Sequence, residues 1–201
     1  MQRLSTLFVI CLLSLGVLAQ AEDKPEQAAV ATAHPAATVA GLETLAAGGN
    51  AFDAAVAVSA ALAVVEPYSS GLGGGGFFLL RQAGEQPNYH FLDARERAPQ
   101  AALADMYLKN PEQSLNGALA AAIPGLPAAL VDLARRYGRL PLTASLAPAI
   151  RLAEDGFPVD RVYRERASSR LPALRKNPES ARIFLARGEV PEVYSLIRQP
   201  Q

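Results

Sequence analysis

The feature that most constrains this fold is the segment 51–66, which is rich in alanine and valine on every side and is followed by Pro67. Asn50 immediately before it is a favoured helix N-cap, and Asp53 three residues further on comes close to a capping box. A helix that is apolar all round either spans a membrane or lies buried in a protein. Its mainly apolar stretch, 54–65, is too short for a bilayer span of about 20 residues. The segment is therefore predicted to be a central core helix whose small side chains let neighbouring layers approach closely.

The chain begins with the layout of a secretory signal peptide. Arg3 gives a positive start, 7–17 is an apolar run, and 19–21 reads AQA, a small-x-small cleavage site. The alternative is an N-terminal membrane anchor, but the run is short for a bilayer span. We therefore expect cleavage before Glu22, no stable membrane anchor, and a periplasmic or secreted mature protein.

Composition excludes several classes of function. Lys and Arg together number 19, equal to the 19 Asp and Glu, so the chain lacks the basic excess that nucleic-acid binding needs. The single cysteine, Cys11, lies inside the predicted signal peptide, so the mature chain is expected to form no disulfide. Two histidines without a mature cysteine are too few for a zinc site. We expect neither a metal nor another cofactor.

Elsewhere the sequence alternates between helix and strand patterns, which are bounded by Gly and Pro residues. One helix opens at Pro35 and stops at 48–49, two others carry apolar stripes over 126–137 and 146–153, and the strands are 77–80 and 89–94. The first strand is wholly apolar and is expected to be buried, and a short polar loop joins the two strands as an antiparallel hairpin. Beyond Arg161 the pattern is weaker and more charged. The class is therefore α+β.

Three stretches have the order and spacing of one enzyme family. They are 48–57, GGNAFDAAVA; 65–77, VEPYSSGLGGGGF; and 93–99, DARERAP. Each is similar to a motif of the γ-glutamyltransferases (γ-glutamyltranspeptidases), the last of them to Asp-x-Arg-Glu-x-Ala-Pro. The resemblance runs from about Val30 to the C-terminus. Agreement among three unrelated motifs is far more specific than one glycine-rich run.

The resemblance implies an Ntn-hydrolase fold, an αββα sandwich of two β-sheets between helix layers, which would be incomplete in this chain. A precursor of this family cuts itself, and the new N-terminal threonine attacks a γ-glutamyl amide such as glutathione. The γ-glutamyl group then passes to water or to an amino-acid or peptide acceptor. We accordingly divide the chain into a signal peptide, 1–21; a polar lead-in, 22–29; and the N-terminal portion of a γ-glutamyltransferase large-subunit domain, 30–201.

The sequence ends at Gln201, before the point where the family places its self-cleavage site and its nucleophile. None of the internal threonines follows a recognisable processing motif. We therefore expect no catalytic residue in this chain and no activity from the chain alone. The expected partner is the missing C-terminal, small-subunit portion.

Arg95 is the residue to which the resemblance assigns substrate binding, because the arginine of this motif holds the α-carboxylate of the γ-glutamyl group. A guanidinium fork suits that task, since it can donate two parallel, charge-assisted hydrogen bonds to a carboxylate. The alternative is a structural ion pair with Asp93 or Glu96. Either carboxylate could orient the guanidinium or be a solvated charge, and the sequence does not decide between these roles.

Two other features invite a functional interpretation that the sequence does not favour. The run 71–76 matches the Gly-x-Gly-x-x-Gly pattern of nucleotide-binding loops, but it follows a helix and opens a strand, the reverse of that fingerprint. Close backbone packing or unusual backbone dihedrals explain it better. His34 and His90 belong to no recognisable constellation with a hydroxyl and a carboxylate, so both are expected to be structural.

Two alternatives stay open. Cephalosporin (glutaryl) acylases are similar in fold and bind a carboxylate-bearing acyl group, so Arg95 does not separate them from γ-glutamyltransferases. The chain could instead be a non-catalytic exported protein, either a remnant or a subunit that only assembles with a partner.

Overall fold

The computed structural model describes residues 28–199. The predicted signal peptide, 1–21, with its Cys11, and most of the predicted lead-in, 22–29, lie outside the described residues. Within the described part, no helix is both long enough and apolar enough to cross a membrane.

Six α-helices, two short 3-10 helices and four strands make up the described residues. The α-helices are α1 (Pro35–Ala46), α2 (Ala51–Val65), α3 (Leu126–Arg136), α4 (Leu142–Asp155), α5 (Arg161–Lys176) and α6 (Pro178–Phe184). The strands are β1 (Phe77–Gln82), β2 (Asn88–Asp93), β3 (Phe157–Pro158) and β4 (Leu196–Ile197), and the 3-10 helices are Pro111–Ser114 and Ala118–Ala120. β1 pairs with β2 and β3 pairs with β4, both antiparallel. The predicted mixture of helices and strands is confirmed.

Helix α2 is the central packing element, as its composition predicts. It packs against both α1 and α4. Where the three helices meet, the buried hydrophobic cluster consists of alanines: Ala37, Ala40, Ala60, Ala61 and Ala149. Gly41 of α1 extends this close approach, because a Cβ atom there would lie 2.8 Å from the Val58 side chain. Small side chains therefore set the distance between these helices.

One face of the β1–β2 hairpin packs on helices α2 and α3. Leu80 is buried in one cluster with Val56 of α2 and Leu130 of α3, and Phe78 and Leu92 pack against that cluster. Because successive side chains of a strand point to opposite faces, this packing leaves the other face of the hairpin to be covered separately.

The opposite face of the hairpin is apolar and open. Phe77, Leu79, Tyr89 and Phe91 are 60%, 77%, 61% and 65% exposed. The prediction of a buried strand over 77–80 is therefore wrong for this face, since no described element covers it. The described residues supply a helix layer and two separate two-stranded sheets rather than the four layers of a complete sandwich.

A second, smaller core joins the C-terminal part of the described chain to the end of α2. Phe157 and Ile197, paired across β3 and β4, are buried with Val65 of α2 and with Tyr163 of α5. Asp160 caps the start of α5, and its side chain accepts a hydrogen bond from the Tyr163 amide at 2.6 Å. The cap fixes Tyr163 at the base of this core.

Candidate functional site

Arg95 lies between two backbone positions that are each held by a pair of hydrogen bonds. Ala94 exchanges N–H···O bonds of 3.0 and 3.2 Å with Gly76, which extends the β1–β2 pairing by one residue. Arg97 exchanges bonds of 3.0 and 2.9 Å with Ile123. The Arg95 backbone is therefore fixed on both sides, while its side chain is 59% exposed.

Two glycines approach the same carbonyl group beside Arg95. A Cβ atom at Gly75 would lie 2.5 Å from the Ala94 oxygen, and one at Gly125 would lie 2.3 Å from it. Both distances are far below van der Waals contact, so only glycine fits at either position without displacement of the 94–95 backbone. Close backbone packing, one of the two explanations predicted for the run 71–76, is confirmed at Gly75.

Two glycine-to-alanine substitutions test whether close backbone packing, rather than glycine at any position of the run 71–76, is what the fold requires. Gly75→Ala is expected to lower the free energy of unfolding by about 1–3 kcal/mol, because the new methyl group collides with backbone atoms. Gly76→Ala is the control, since a Cβ atom there would meet no atom within 4 Å, and we expect a change of no more than about 0.5 kcal/mol. Urea denaturation of the two variants measures both effects. Equal losses would contradict the packing explanation.

The two carboxylates next to Arg95 have different contacts. Asp93 accepts a hydrogen bond from the Arg95 backbone amide at 2.9 Å, so it holds the main chain. Glu96 lies beside the guanidinium, with Oε2 3.2 Å from Nε, and its side chain is 26% exposed. Its Oε2 atom is buried yet forms no hydrogen bond within residues 28–199. The contact is therefore an ion pair of poor hydrogen-bond geometry.

The Arg95 guanidinium lies over an aromatic ring of strand β1. Among the described residues it forms no hydrogen bond through its two terminal nitrogens, and Cζ lies 5.8 Å from the Phe77 ring centroid. Phe77 in turn stacks on Phe91, with 5.5 Å between ring centroids. Arg95 therefore stands at the edge of the open apolar face of the hairpin.

A cavity of about 450 Å³ opens beside this segment. Its charged wall residues are Asp93, Arg95, Arg97 and Asp132, and Gly125, immediately before α3, also lines it. The volume falls in the usual range for small-molecule sites. The cavity combines cationic and anionic side chains, as a site for a zwitterionic ligand would.

The motif 48–57 lies outside this cavity and forms a buried connection instead. Asp53 is fully buried, and its carboxylate accepts backbone N–H bonds from Asn50 (2.8 Å), Arg139 (2.9 Å) and Leu140 (3.2 Å). The Asn50 side-chain amide donates a hydrogen bond to the Tyr137 carbonyl at 2.7 Å. The predicted capping box is present, but its acid also ties the start of α2 to the turn after α3.

Both histidines make structural contacts. His34 is the N-cap of α1, and its Nδ1 accepts a hydrogen bond from the Ala36 amide at 3.1 Å. His90 Nε2 lies 3.1 Å from the Gln82 side-chain oxygen across the hairpin. Within residues 28–199, no group of three or more His, Cys, Asp or Glu side chains is arranged to hold a metal ion.

The chain matches the family model described as gamma-glutamyltranspeptidase over residues 37–201. The glutathione hydrolase proenzyme of Escherichia coli (strain K12) is 39% identical over 172 residues, covering 83% of this chain and 29% of that protein. The chain likewise spans only 28–30% of the length of three other curated glutathione hydrolases that it matches.

Solved structures of a γ-glutamyltranspeptidase and of a cephalosporin acylase also match this chain. The Helicobacter pylori gamma-glutamyltranspeptidase superposes with a TM-score of 0.82 at 32% identity, covering 88% of this chain and 52% of that one. The cephalosporin acylase from Bacillus halodurans superposes with a TM-score of 0.72 at 34% identity, covering 90% of this chain and 36% of that one.

Proposed function

The chain belongs to the γ-glutamyltranspeptidase family, and we propose that it is the N-terminal, substrate-holding part of an exported γ-glutamyltransferase. Its fold is part of the Ntn-hydrolase fold of the matched transpeptidase and acylase structures. In the proposed reaction the complete enzyme cleaves γ-glutamyl amides such as glutathione. It transfers the γ-glutamyl group to water or to an amino acid or peptide.

The observation that carries this proposal is the state of Arg95. Its backbone is held at Ala94 on one side and at Arg97 on the other, and Glu96 approaches the guanidinium at Nε. A carboxylate that is gripped end-on needs the two terminal nitrogens, which form no hydrogen bond within the described residues. An arginine whose Nε lies beside a carboxylate while its two terminal nitrogens have no partner suits bidentate binding of the substrate α-carboxylate.

Each neighbouring carboxylate has a proposed task that follows from its contact. Glu96 limits rotation of the guanidinium through the ion pair at Nε, so that less freedom is lost when substrate binds. Asp93 holds the Arg95 amide and thereby the start of the turn. Both are positioning residues, and neither is proposed to touch substrate.

The remaining family sequence is the proposed partner, and it supplies the threonine nucleophile. The open face of the hairpin supports this assignment, because four large apolar side chains are more than half exposed there. Contiguous exposed apolar surface of this kind marks an interaction site. In a layered fold, the second sheet would cover it.

This function is tested by producing the chain alone and together with the C-terminal part of a γ-glutamyltransferase. Release of p-nitroaniline from γ-glutamyl-p-nitroanilide is expected only when both parts are present. Activity of the chain alone would contradict the proposal, as would an assembled, self-cleaved complex that leaves this substrate intact.

The acylase alternative is retained because the cephalosporin acylase structure also matches. A glutaryl amide differs from a γ-glutamyl amide only by the missing α-ammonium group. Side-by-side assay of the two p-nitroanilides therefore separates the candidates. We expect the γ-glutamyl compound to react faster, and a preference for the glutaryl compound would favour the acylase. If neither reacts in the assembled complex, the chain is a non-catalytic subunit.

Export is also part of the proposal. The expected mature N-terminus is Glu22, because the AQA tripeptide at 19–21 fits signal peptidase specificity. Intact-mass measurement on protein from the periplasmic or secreted fraction checks this position. Recovery of the chain only in the cytosol with Met1 intact would rule the signal peptide out.

A further inference from the structure

A second cavity, of about 330 Å³, lies between the turn that follows α2 and helices α5 and α6. Tyr68 and Tyr163 line its inner part and meet edge to face, with 6.1 Å between ring centroids. Leu174 and Phe184 provide apolar wall. The cavity is separate from the one beside Arg95, with which it shares no lining residue.

The polar side chains that line this cavity are all hydrogen-bond donors, and none is a carboxylate. They are Tyr68, Tyr163, Arg166, Arg170 and Ser180. The cavity beside Arg95 contains both signs of charge, since Asp93 and Asp132 line it with the arginines. Two cations without an acid in the wall favour an anionic ligand there, although the carboxylates of Glu66 and Asp160 act on Tyr68 from outside the wall.

The Tyr68 hydroxyl supports the same interpretation independently of the arginines. Its oxygen is buried and has no hydrogen-bond partner within the described residues, whereas the Tyr163 hydroxyl donates to the Phe184 carbonyl at 3.1 Å. A buried donor without an acceptor is costly. Burial, helped by the charges of Glu66 and Asp160, raises the pKa of Tyr68 to about 12. The hydroxyl therefore stays protonated at neutral pH and needs an acceptor.

The two arginines are available to such an acceptor. Arg166 forms no ion pair within residues 28–199, and its charge lowers the pKa of Tyr68 against the larger effects of burial, Glu66 and Asp160. Arg170 donates one hydrogen bond to the Asn116 side chain at 2.9 Å, which leaves its other donors for a ligand. The two residues are one helical turn apart on α5 and so lie on the same face.

We infer that this cavity binds a free small organic carboxylate with an aromatic or apolar body. The carboxylate accepts hydrogen bonds from Arg166, Arg170 and the Tyr68 hydroxyl. The body lies against Tyr163, Leu174 and Phe184. This inference does not depend on the proposed enzyme activity, because the site shares no residue with the Arg95 cavity and its test measures binding rather than turnover.

Titration of the full chain with 3-phenylpropionate, followed by ligand-observed NMR, tests the inference. Saturable binding is expected, and 3-phenylpropan-1-ol, which has the same body without the charge, is expected to bind about tenfold more weakly. The double variant Arg166→Gln, Arg170→Gln should lose about the same factor. Tyr68→Phe, which removes only the hydroxyl, should lose a few-fold.

Arg182→Gln is the matched control, because Arg182 pairs with Glu179 on α6 and is not part of the cavity wall. It should leave the affinity for 3-phenylpropionate unchanged. Absence of saturable binding by a folded chain would overturn the inference, as would equal affinity for the acid and the alcohol.

The same titration of a longer protein, in which this chain is followed by the rest of a γ-glutamyltransferase sequence, distinguishes a free ligand from a segment of the protein itself that fills the cavity. Retained binding of 3-phenylpropionate supports a site for a free carboxylate. Binding to the 201-residue chain but not to the completed protein would overturn it, because the rest of the enzyme would then fill the cavity.

Discussion

Replacement of Arg95 by alanine in the complete γ-glutamyltransferase is expected to cost about 2–5 kcal/mol of transition-state binding, a loss of roughly thirtyfold or more in kcat/KM. Under the proposed assignment, the variant leaves the substrate α-carboxylate without its bidentate partner. Steady-state kinetics with γ-glutamyl-p-nitroanilide measure the loss. Arg95→Lys keeps the charge without the fork, so its loss should be smaller but clear.

Arg135→Ala is the matched control for this prediction, because Arg135 is an exposed arginine on α3 outside the wall of the Arg95 cavity. Its kinetics should equal those of the parent enzyme. Self-cleavage should survive both Arg95 variants, since that step does not involve the substrate carboxylate. If Arg95→Ala stops maturation and leaves substrate affinity unchanged, Arg95 is a structural ion-pair residue and the site assignment is wrong.

Replacement of Asp53 by alanine is expected to lower the free energy of unfolding by about 3–5 kcal/mol. The change removes a fully buried carboxylate and leaves three backbone N–H groups, those of Asn50, Arg139 and Leu140, without their acceptor. A loss of this size is a large fraction of the stability of an ordinary domain, about 5–15 kcal/mol. Urea denaturation, compared with the parent chain, measures it.

Asp53→Asn should cost less than Asp53→Ala, because the side-chain amide keeps one acceptor oxygen and loses the other. The control is Asp105→Ala, at an exposed carboxylate in the loop after β2 that forms no side-chain hydrogen bond within the described residues. Its effect should stay within about 0.5 kcal/mol. Equal losses from Asp53→Ala and Asp105→Ala would mean that the buried hydrogen bonds do not hold α2 to the turn after α3.

Local patterns predicted most of the secondary structure. Asn50, the capping box and Pro67 bound α2 in the sequence, and the helix runs from Ala51 to Val65. The hairpin and helices α3 and α4 follow from apolar spacing with glycine and proline at their ends. These signals act over a few residues, which is the range that sequence inspection covers well.

Helix α5 was not predicted, and its composition explains why. Only Tyr163 and Ala167 are buried among its residues, and Pro172 lies within it. Two buried positions one turn apart give a stripe too narrow to stand out among charged residues. The signal that could have found the helix is its start, where Asp160 accepts a hydrogen bond from the Tyr163 amide.

Long-range contacts were also out of reach. The hydrogen bonds that the Arg139 and Leu140 amides donate to Asp53 join residues 86 and 87 positions apart, and no local pattern encodes such a separation. The sequence likewise left the roles of Asp93 and Glu96 undecided. The geometry separates their contacts, since one carboxylate binds the Arg95 backbone and the other lies beside its guanidinium.

The most direct test of the central claim couples Arg95 to the substrate α-carboxylate in one thermodynamic cycle. The complete enzyme and its Arg95→Ala variant are each assayed with a γ-glutamyl anilide and with the same anilide lacking the α-carboxylate. If Arg95 binds that carboxylate, loss of the carboxylate from the substrate should lower kcat/KM steeply in the parent enzyme and hardly at all in the variant. The coupling energy between Arg95 and the carboxylate should then nearly equal the whole effect of Arg95→Ala. Losses that simply add, with a coupling energy near zero, would contradict the claim.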